Sequence, residues 1–571
     1  MSDINTIQSK EDLLKLIKVE KKEITYLLYK LGIDNCYSKF EIPKKNGKAR
    51  VIYAPNKKLK YIQRGIAYNL CLYMRNSGNI SKDNISHGFN KGLSFITNAD
   101  VHKNRKYILN YDLRDFFDQF NYGRVLGFFE KNRDFQYPRE LAVLMSQLVC
   151  YKGKLPQGAP TSPVISNLIF NIVDLRILKL ARKYKLNYTR YADDLTFSTN
   201  DKKIVDRYDK FTIELTNLIT KSGFFINDKK TSFYYYSSNQ EVTGLTVNKK
   251  VRVNRTYYVK TRAMANNQYK NGRFYLQDGT EGTISQLEGR FAFINQVEKY
   301  NNIHDSVTKK HDYNSLNSRE KAYREFLFYK KFYMGEYPLL ITEGKTDIRY
   351  IKAAIKSLKK NGSIDTKGLK IDDISQIRFY KRTKQDAYFF GIEKDGADSL
   401  GKLFPYYMGK NNMPNIMERL VRISNKNPKH PVILLFDNEL GSKDKPIKKI
   451  VKLLNSKNGK IENRLATEWF CHVKYNLYIM VVPNISKKGE FQKEWDIECL
   501  FDEKTCSKVI NGKRFIKEDS YDIENFYGKD IFSKYILSDY ENVDFSGFVE
   551  LFKVIDNIKK DYEERIKSLM V

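Results

Sequence analysis

Two adjacent carboxylates, Asp193 and Asp194, follow Tyr191-Ala192 and precede Leu195-Thr196-Phe197-Ser198, which alternates apolar and polar. With Tyr188-Thr189-Arg190 on the near side, the pattern predicts a hairpin whose tight turn presents both acids. Neighbouring acids repel, and at a partly apolar turn they need cations to neutralise them. An ordinary Asp-rich turn has the same local pattern. Upstream, Tyr107-Ile108-Leu109-Asn110-Tyr111 reads as a strand ending at Asp112, followed by Leu113-Arg114-Asp115-Phe116-Phe117. Three carboxylates drawn from two such strands suit two Mg²⁺ ions roughly 4 Å apart, the arrangement for in-line phosphoryl transfer. Oxygen ligands match Mg²⁺, which keeps some waters and takes further ligands from substrate phosphates. Between the acids, Leu155-Pro156-Gln157-Gly158-Ala159-Pro160-Thr161-Ser162-Pro163 predicts a rigid turn before a helix opening near Ser162-Pro163. Alone, that loop is an unremarked helix entry.

A second set of acids lies downstream. Leu339-Leu340-Ile341-Thr342 reads as a buried strand that delivers Glu343. The following Gly344-Lys345-Thr346 imitates a phosphate-binding loop, but Leu339 stands where that loop requires its first glycine, so ATP binding is not supported. Val432-Ile433-Leu434-Leu435-Phe436 delivers Asp437, Asn438 and Glu439 in the same manner, with Asp398 between the two strands and Asp496-Ile497-Glu498 after them. Functional groups of open α/β sheets gather at the carboxyl ends of strands. One such acid is a helix cap, whereas several in series predict a Mg²⁺ site.

The elements that must carry these groups are legible in outline. The chain has 571 residues, enough for two or more domains, and 41% hydrophobic residues can build a sizeable core. Its net charge is +34, unevenly spread: 57 Lys and Arg face 32 acids in residues 1–330, and 44 face 35 thereafter. That excess favours a nucleic-acid partner and disfavours an enzyme of small acidic metabolites or a lipid-embedded protein. No leader pattern and no run of about 18 apolar residues is present, so no membrane partner is expected. Six scattered cysteines without a CxxC pair predict neither a zinc site nor a disulfide framework. Helix and strand patterns alternate from Glu11 to Val253, a basic, aromatic, helical stretch covers Tyr257–Tyr333, and Gly335, Glu336 and Pro338 interrupt it before the α/β pattern begins.

Asp112 in its LRDFF context, the LPQGAPTSP loop and the YADD turn, in this order, resemble motifs A, B and C of reverse transcriptases. Ile42-Pro43-Lys44-Lys45 with Gly47, Arg50 and Ala54-Pro55 is similar to the fingers strand pair, and Asn227-Asp228-Lys229-Lys230-Thr231 to the motif D lysine region. Asn98-Ala99-Asp100-Val101-His102 and Val242-Thr243-Gly244 match the NAxxH and VTG signatures of bacterial retron reverse transcriptases. The resemblance covers about the first 330 residues. It implies an α+β right-hand polymerase with fingers and palm over 1–250 and thumb over 251–333. It also implies roles: Asp112, Asp193 and Asp194 as metal ligands, and the backbone of Leu113 and nearby residues as triphosphate cradle. Phe117 would be the block against a ribose 2′-OH, Gln157 a wall of the nucleotide pocket, and Arg50, helped by Lys48, a phosphate contact. Lys230 would be the general acid for leaving pyrophosphate. His102 is read as part of a fold or RNA-contact element rather than of the chemistry.

Residues 334–571 resemble a TOPRIM domain, the α/β fold of topoisomerases, primases and related nucleases. Glu343 would be its single glutamate, Asp437 and Glu439 its paired acids, and Glu498 a further ligand of a second Mg²⁺ site. The second paired acid of that family is an aspartate, so Glu439 is a departure. The whole chain resembles retron defence proteins with a fused effector. That implies a bacterial cytoplasmic enzyme using dNTPs on a cognate structured noncoding RNA, with a branched RNA–DNA (msDNA) product and a possible homo-oligomer on it. The alternatives are an abortive-infection-type polymerase making untemplated DNA, a polymerase-dead RNA-binding regulator, and a purely structural C-terminal domain.

Overall fold

The computed structural model describes residues 3–43, 49–76, 85–305, 315–361, 376–393, 396–409, 413–454, 460–517, 522 and 524–570. Lys44, Lys45, Gly47 and Lys48 of the expected fingers motif lie outside them. Among the described residues no helix is long and apolar enough to cross a membrane. The chain forms two units, 1–255 and 256–571.

In the first unit, the strands Tyr37–Pro43 and Ala49–Pro55 pair as an antiparallel ribbon that leads into the helix Lys57–Asn76. The central sheet has four antiparallel strands in the order Asn187–Tyr191, Asp194–Thr199, Tyr107–Asp112, Ser232–Tyr235. Its middle strands are almost wholly buried, the polar Thr196 and Ser198 included. The helix Ser162–Lys183 starts with Pro163 in its first turn and buries Val164, Ile165, Leu168, Phe170 and Ile177. Phe170 meets Phe116 and Phe224 with ring centroids 5.5 and 4.8 Å apart, largely edge to face, so the core behind the sheet is aromatic.

The second unit begins with the helices Arg255–Asn271, Ile284–Asp305 and Ser318–Phe328. A five-stranded sheet follows, ordered Arg378–Phe379, Leu339–Thr342, Val432–Phe436, Leu477–Val481, Phe470–Lys474. The first four are parallel and the last runs against its neighbour. The break expected at 334 does not separate two cores. One apolar core runs from Met264 to Tyr562, and Phe328 packs its ring 5.5 Å from Tyr407 and 6.0 Å from Tyr406. Gly335 and Pro338 end a helix but do not end a body, because Phe328 and Phe332 before them pack on Tyr380, Phe390, Tyr406 and Tyr407 after them.

Phe328→Ala should therefore cost about 3–5 kcal/mol. It should speed amide exchange in the strand Leu339–Thr342 as well as in its own helix. Exchange raised in the helix alone would restore a boundary at 334.

Candidate active sites

In the central sheet Asp112 lies directly opposite Asp194 on the neighbouring strand, and Asp193 fills the turn that joins that strand to the next. The turn is held tightly. Ala192 takes a φ of 56°, sparsely allowed for a residue with a side chain. A Cβ on Gly88 would lie 2.6 Å from the Ala192 nitrogen, so only glycine lets the loop Ser86–Phe89 pass beneath the turn. Arg190, wholly buried, donates Nε and Nη2 to the Asp174 carboxylate at 2.9 and 2.7 Å, and Nη1 to Asn167 Oδ1 and the Ala192 carbonyl, both at 3.1 Å. Tyr188 adds its hydroxyl to Asp174 at 2.7 Å, and the Asn167 amide donates to the Gly88 carbonyl at 2.8 Å. Arg190, Asp174, Asn167 and Gly88 are the residues sequence reasoning passed over. The signal was an arginine beside the acid turn in a strand too buried for an unpaired cation.

Burial, with Asp112 nearby, holds the Asp193 carboxyl above the usual carboxylate range. Burial and then the neighbours Asp193 and Asp112 push Asp194 up to about 7. The cluster is short of positive charge. Lys230 supplies one cation, its Nζ 2.7 Å from Asp112 Oδ2, and Asn227 Nδ2 donates to Asp112 Oδ1 at 3.1 Å. Among the described residues no three ligating side chains already converge on one point. The donor set nevertheless consists of carboxylate oxygens alone, which fits a divalent ion whose remaining ligands are water and phosphate.

The other predicted residues divide. The Gln157 carbonyl accepts the Tyr53 N–H at 2.7 Å, and a Cβ on Gly158 would stand 2.6 Å from the Tyr53 oxygen, so the Gly-Pro loop is seated on the strand Ala49–Pro55 that also carries Arg50. Phe117 lies beside Phe89, ring centroids 6.3 Å apart. Leu113 is a correction. Its N–H donates to the Asp193 carbonyl at 2.9 Å, and that of Arg114 to Phe225 at 2.8 Å, so neither is open to cradle a triphosphate. His102 is buried between Ser198 Oγ and Thr189 Oγ1, both at 2.7 Å, and Thr189 donates to Asn98 at 2.7 Å. The NAxxH segment thus props the hairpin from below. Thr243 hydrogen-bonds the Phe95 carbonyl at 2.9 Å, tying the VTG turn to the helix that carries it.

In the second unit Glu343 and Asp437 end adjacent parallel strands, and the Asp437 N–H donates to Glu343 Oε1 at 3.2 Å. Asp347, not foreseen, joins them, bound by the Gly344 N–H at 3.0 Å. Burial pushes Glu343 up to about 7, and Asp347 and Glu439 add to the rise. Burial holds Asp437 well above its usual range, followed by Glu343, Asp347, Asp496 and Glu498. Six acids therefore share one field. Lysines flank it: Lys529 stands 3.0 Å from Glu498 and 3.4 Å from Asp496, Lys517 2.8 Å from Asp496, and Lys445 2.6 Å from Glu439. Asp398 is exposed and pairs at 3.5 Å with Lys449, outside the group.

Burial also holds His102 neutral in the folded chain, its pKa pushed down to about 3. Below pH 6.5 the unfolded chain binds a proton there that the folded chain refuses, so this residue makes stability fall as the pH drops. His102→Gln should remove about 2 kcal/mol of the loss between pH 7 and pH 5. Urea midpoints at both pH values test it, and equal losses in variant and wild type would mean a solvated imidazole.

Residues 42–252 match the family model for reverse transcriptase (RNA-dependent DNA polymerase). The chain is 32% identical over 290 residues to the retron Ec86 reverse transcriptase of Escherichia coli, covering 50% of this chain and 84% of that protein. It is 33% identical over 280 residues to the retron Mx65 reverse transcriptase of Myxococcus xanthus, covering 46% of this chain and 61% of that one. A solved telomerase from Candida albicans, in complex with a fragment of telomeric RNA, aligns at 12% identity over 52% of this chain and 60% of its own, with a TM-score of 0.31. Two strands that set Asp112 against Asp194, in a stretch matched by the reverse-transcriptase model and by most of the Ec86 protein, place the chain in the family of retron reverse transcriptases, RNA-directed DNA polymerases.

Proposed function

We propose that the first unit copies a cognate structured noncoding RNA from dNTPs into a branched RNA–DNA (msDNA), and that residues 334–571 act as a TOPRIM-like, metal-dependent nuclease in defence against phage. The first half is supported by the register that sets Asp112 opposite Asp194 with Asp193 at the turn between. Asp112, Asp193 and Asp194 would hold Mg²⁺, which when bound neutralises phosphate charge and activates the attacking hydroxyl. The chain's own groups do the positioning. Arg50 reaches the phosphates from the strand that also seats the Gln157 loop. Phe117, backed by Phe89, excludes a ribose 2′-OH. Lys230, already on Asp112, is the proton donor to leaving pyrophosphate. Because the N–H groups of Leu113 and Arg114 are engaged, the triphosphate falls to the backbone that follows them.

The second half is supported by the convergence of Glu343 and Asp437 at neighbouring strand ends. Glu439 and Glu498 would complete a second Mg²⁺ site, together with Asp347 and Asp496. Restraint of this nuclease by the bound RNA–DNA, on which copies of the chain gather, is the control that fits a fused effector.

The chain expressed with its native upstream DNA should purify with a nucleic acid sensitive to both RNase and DNase. The double change Asp193→Asn, Asp194→Asn should abolish the DNA part, a fall of at least about 10³ in synthesis. Bound DNA without a covalent RNA partner would favour untemplated synthesis, and no bound DNA would favour an RNA-binding regulator. Glu343→Gln or Asp437→Asn should leave DNA yield intact and end protection against phage, whereas protection that persists would make residues 334–571 a scaffold.

A further inference from the structure

The helix Lys57–Asn76 carries five basic residues, Lys57, Lys58, Lys60, Arg64 and Arg75, and no acid. One face, with Leu59, Ile62, Ile66 and Leu70, is buried in the core of the first unit. The opposite face presents Lys57, Lys58, Tyr61, Arg64 and Tyr68 to solvent at helical spacing, with Tyr61 59% and Tyr68 63% exposed. The stripe continues onto the helical turn Tyr26–Leu31. There Tyr29 is 82% exposed, and Tyr26 has the Lys58 ammonium 5.0 Å and the Lys30 ammonium 5.9 Å from its ring centre. Among the described residues none of Lys57, Lys58, Lys60 and Arg64 has a carboxylate within ion-pair distance.

An exposed tyrosine is ordinary by itself. Four of them interleaved with uncompensated cations are matched to a ligand that offers negative charge and planar rings in alternation. Single-stranded nucleic acid is such a ligand, with phosphates for lysine and arginine and base faces for tyrosine. A duplex hides its base faces, so rings on this stripe call for unpaired nucleotides. Lipid fits less well, because a helix lying on a bilayer turns its leucines and isoleucines outward, and here Leu59, Ile62, Ile66 and Leu70 are turned into the core. We propose that this face, on the side of the helix turned away from the core, docks an unpaired segment of the noncoding RNA. It fixes the choice of RNA by a contact separate from synthesis. This rests on the reading that the enzyme works on RNA.

The test uses the full chain with Tyr61→Ala and Tyr68→Ala together, the ring-keeping pair Tyr61→Phe and Tyr68→Phe, and Lys58→Gln with Arg64→Gln. Binding of a 20-nucleotide oligouridylate and of a blunt RNA duplex of 20 base pairs is read by fluorescence anisotropy. DNA synthesis is read on poly(rA)/oligo(dT), and circular dichroism confirms folding. The alanine pair should weaken oligouridylate binding at least about tenfold, from base stacking of about 1–3 kcal/mol per ring, and duplex binding less than about twofold. The phenylalanine pair should bind as wild type. The charge pair should weaken both ligands and lower the salt slope by about two. All should keep synthesis on poly(rA)/oligo(dT) within about twofold. Unchanged oligouridylate binding in the alanine pair would overturn the docking surface. An equal loss on duplex would overturn its preference for unpaired RNA, and loss only on phosphatidylserine vesicles would assign it to lipid. Wild-type chain inactive on poly(rA)/oligo(dT) would instead sink the polymerase reading.

Discussion

Arg190 and Asp174 form an ion pair that water does not reach, with side chains 0% and 1% exposed, and the turn that carries Asp193 hangs from it. Burying two charges is costly, and attraction repays the cost only if every remaining donor and acceptor is engaged. Here they are. The guanidinium fork grips Asp174 with two nitrogens and turns the third to Asn167 and Ala192, the residue bent to positive φ beside Asp193. Asn167 passes the restraint to Gly88. A lysine could not stand in, because one ammonium cannot present a planar fork to three partners. Rigidity beneath the turn lets two carboxylates stay side by side above it, where repulsion would otherwise push them apart.

The acids themselves were legible, because their chemistry leaves few alternatives for strands that end in aspartate. Their supports were not. Asp174 occurs mid-helix, where a polar residue ordinarily faces water, and nothing within its own segment marks it as the partner of Arg190. Leu113 illustrates a different limit, since the family pattern assigns its backbone to the substrate while the pairing of Asp112 with Asp194 carries the next N–H to Asp193. The continuity of the core across residue 334 escaped for a third reason. Glycine and proline report where a helix stops, not whether the helix has a core of its own. Asp347 escaped because its place shows only once the first turn of its helix closes on the Gly344 N–H.

The two acid clusters meet the same electrostatic problem differently. The first is nearly bare, with Lys230 on Asp112 as its near counter-charge, so it has most to gain from divalent ions. The second is ringed by Lys445, Lys517 and Lys529, which already engage Glu439, Asp496 and Glu498. Its innermost pair, Glu343 and Asp437, has no lysine ion pair among the described residues, and burial holds both carboxyls above their usual range.

The apolar core that runs from Met264 to Tyr562 fixes what can be inherited as a piece. Helices that a sequence comparison would assign to a polymerase thumb are, physically, the lid of the α/β sheet. A cut at residue 334 would part these helices from the sheet and expose Phe326, Leu327 and Phe328. A chain cut short before the sheet would keep those rings and lose what covers them, and it should aggregate through the uncovered aromatic face.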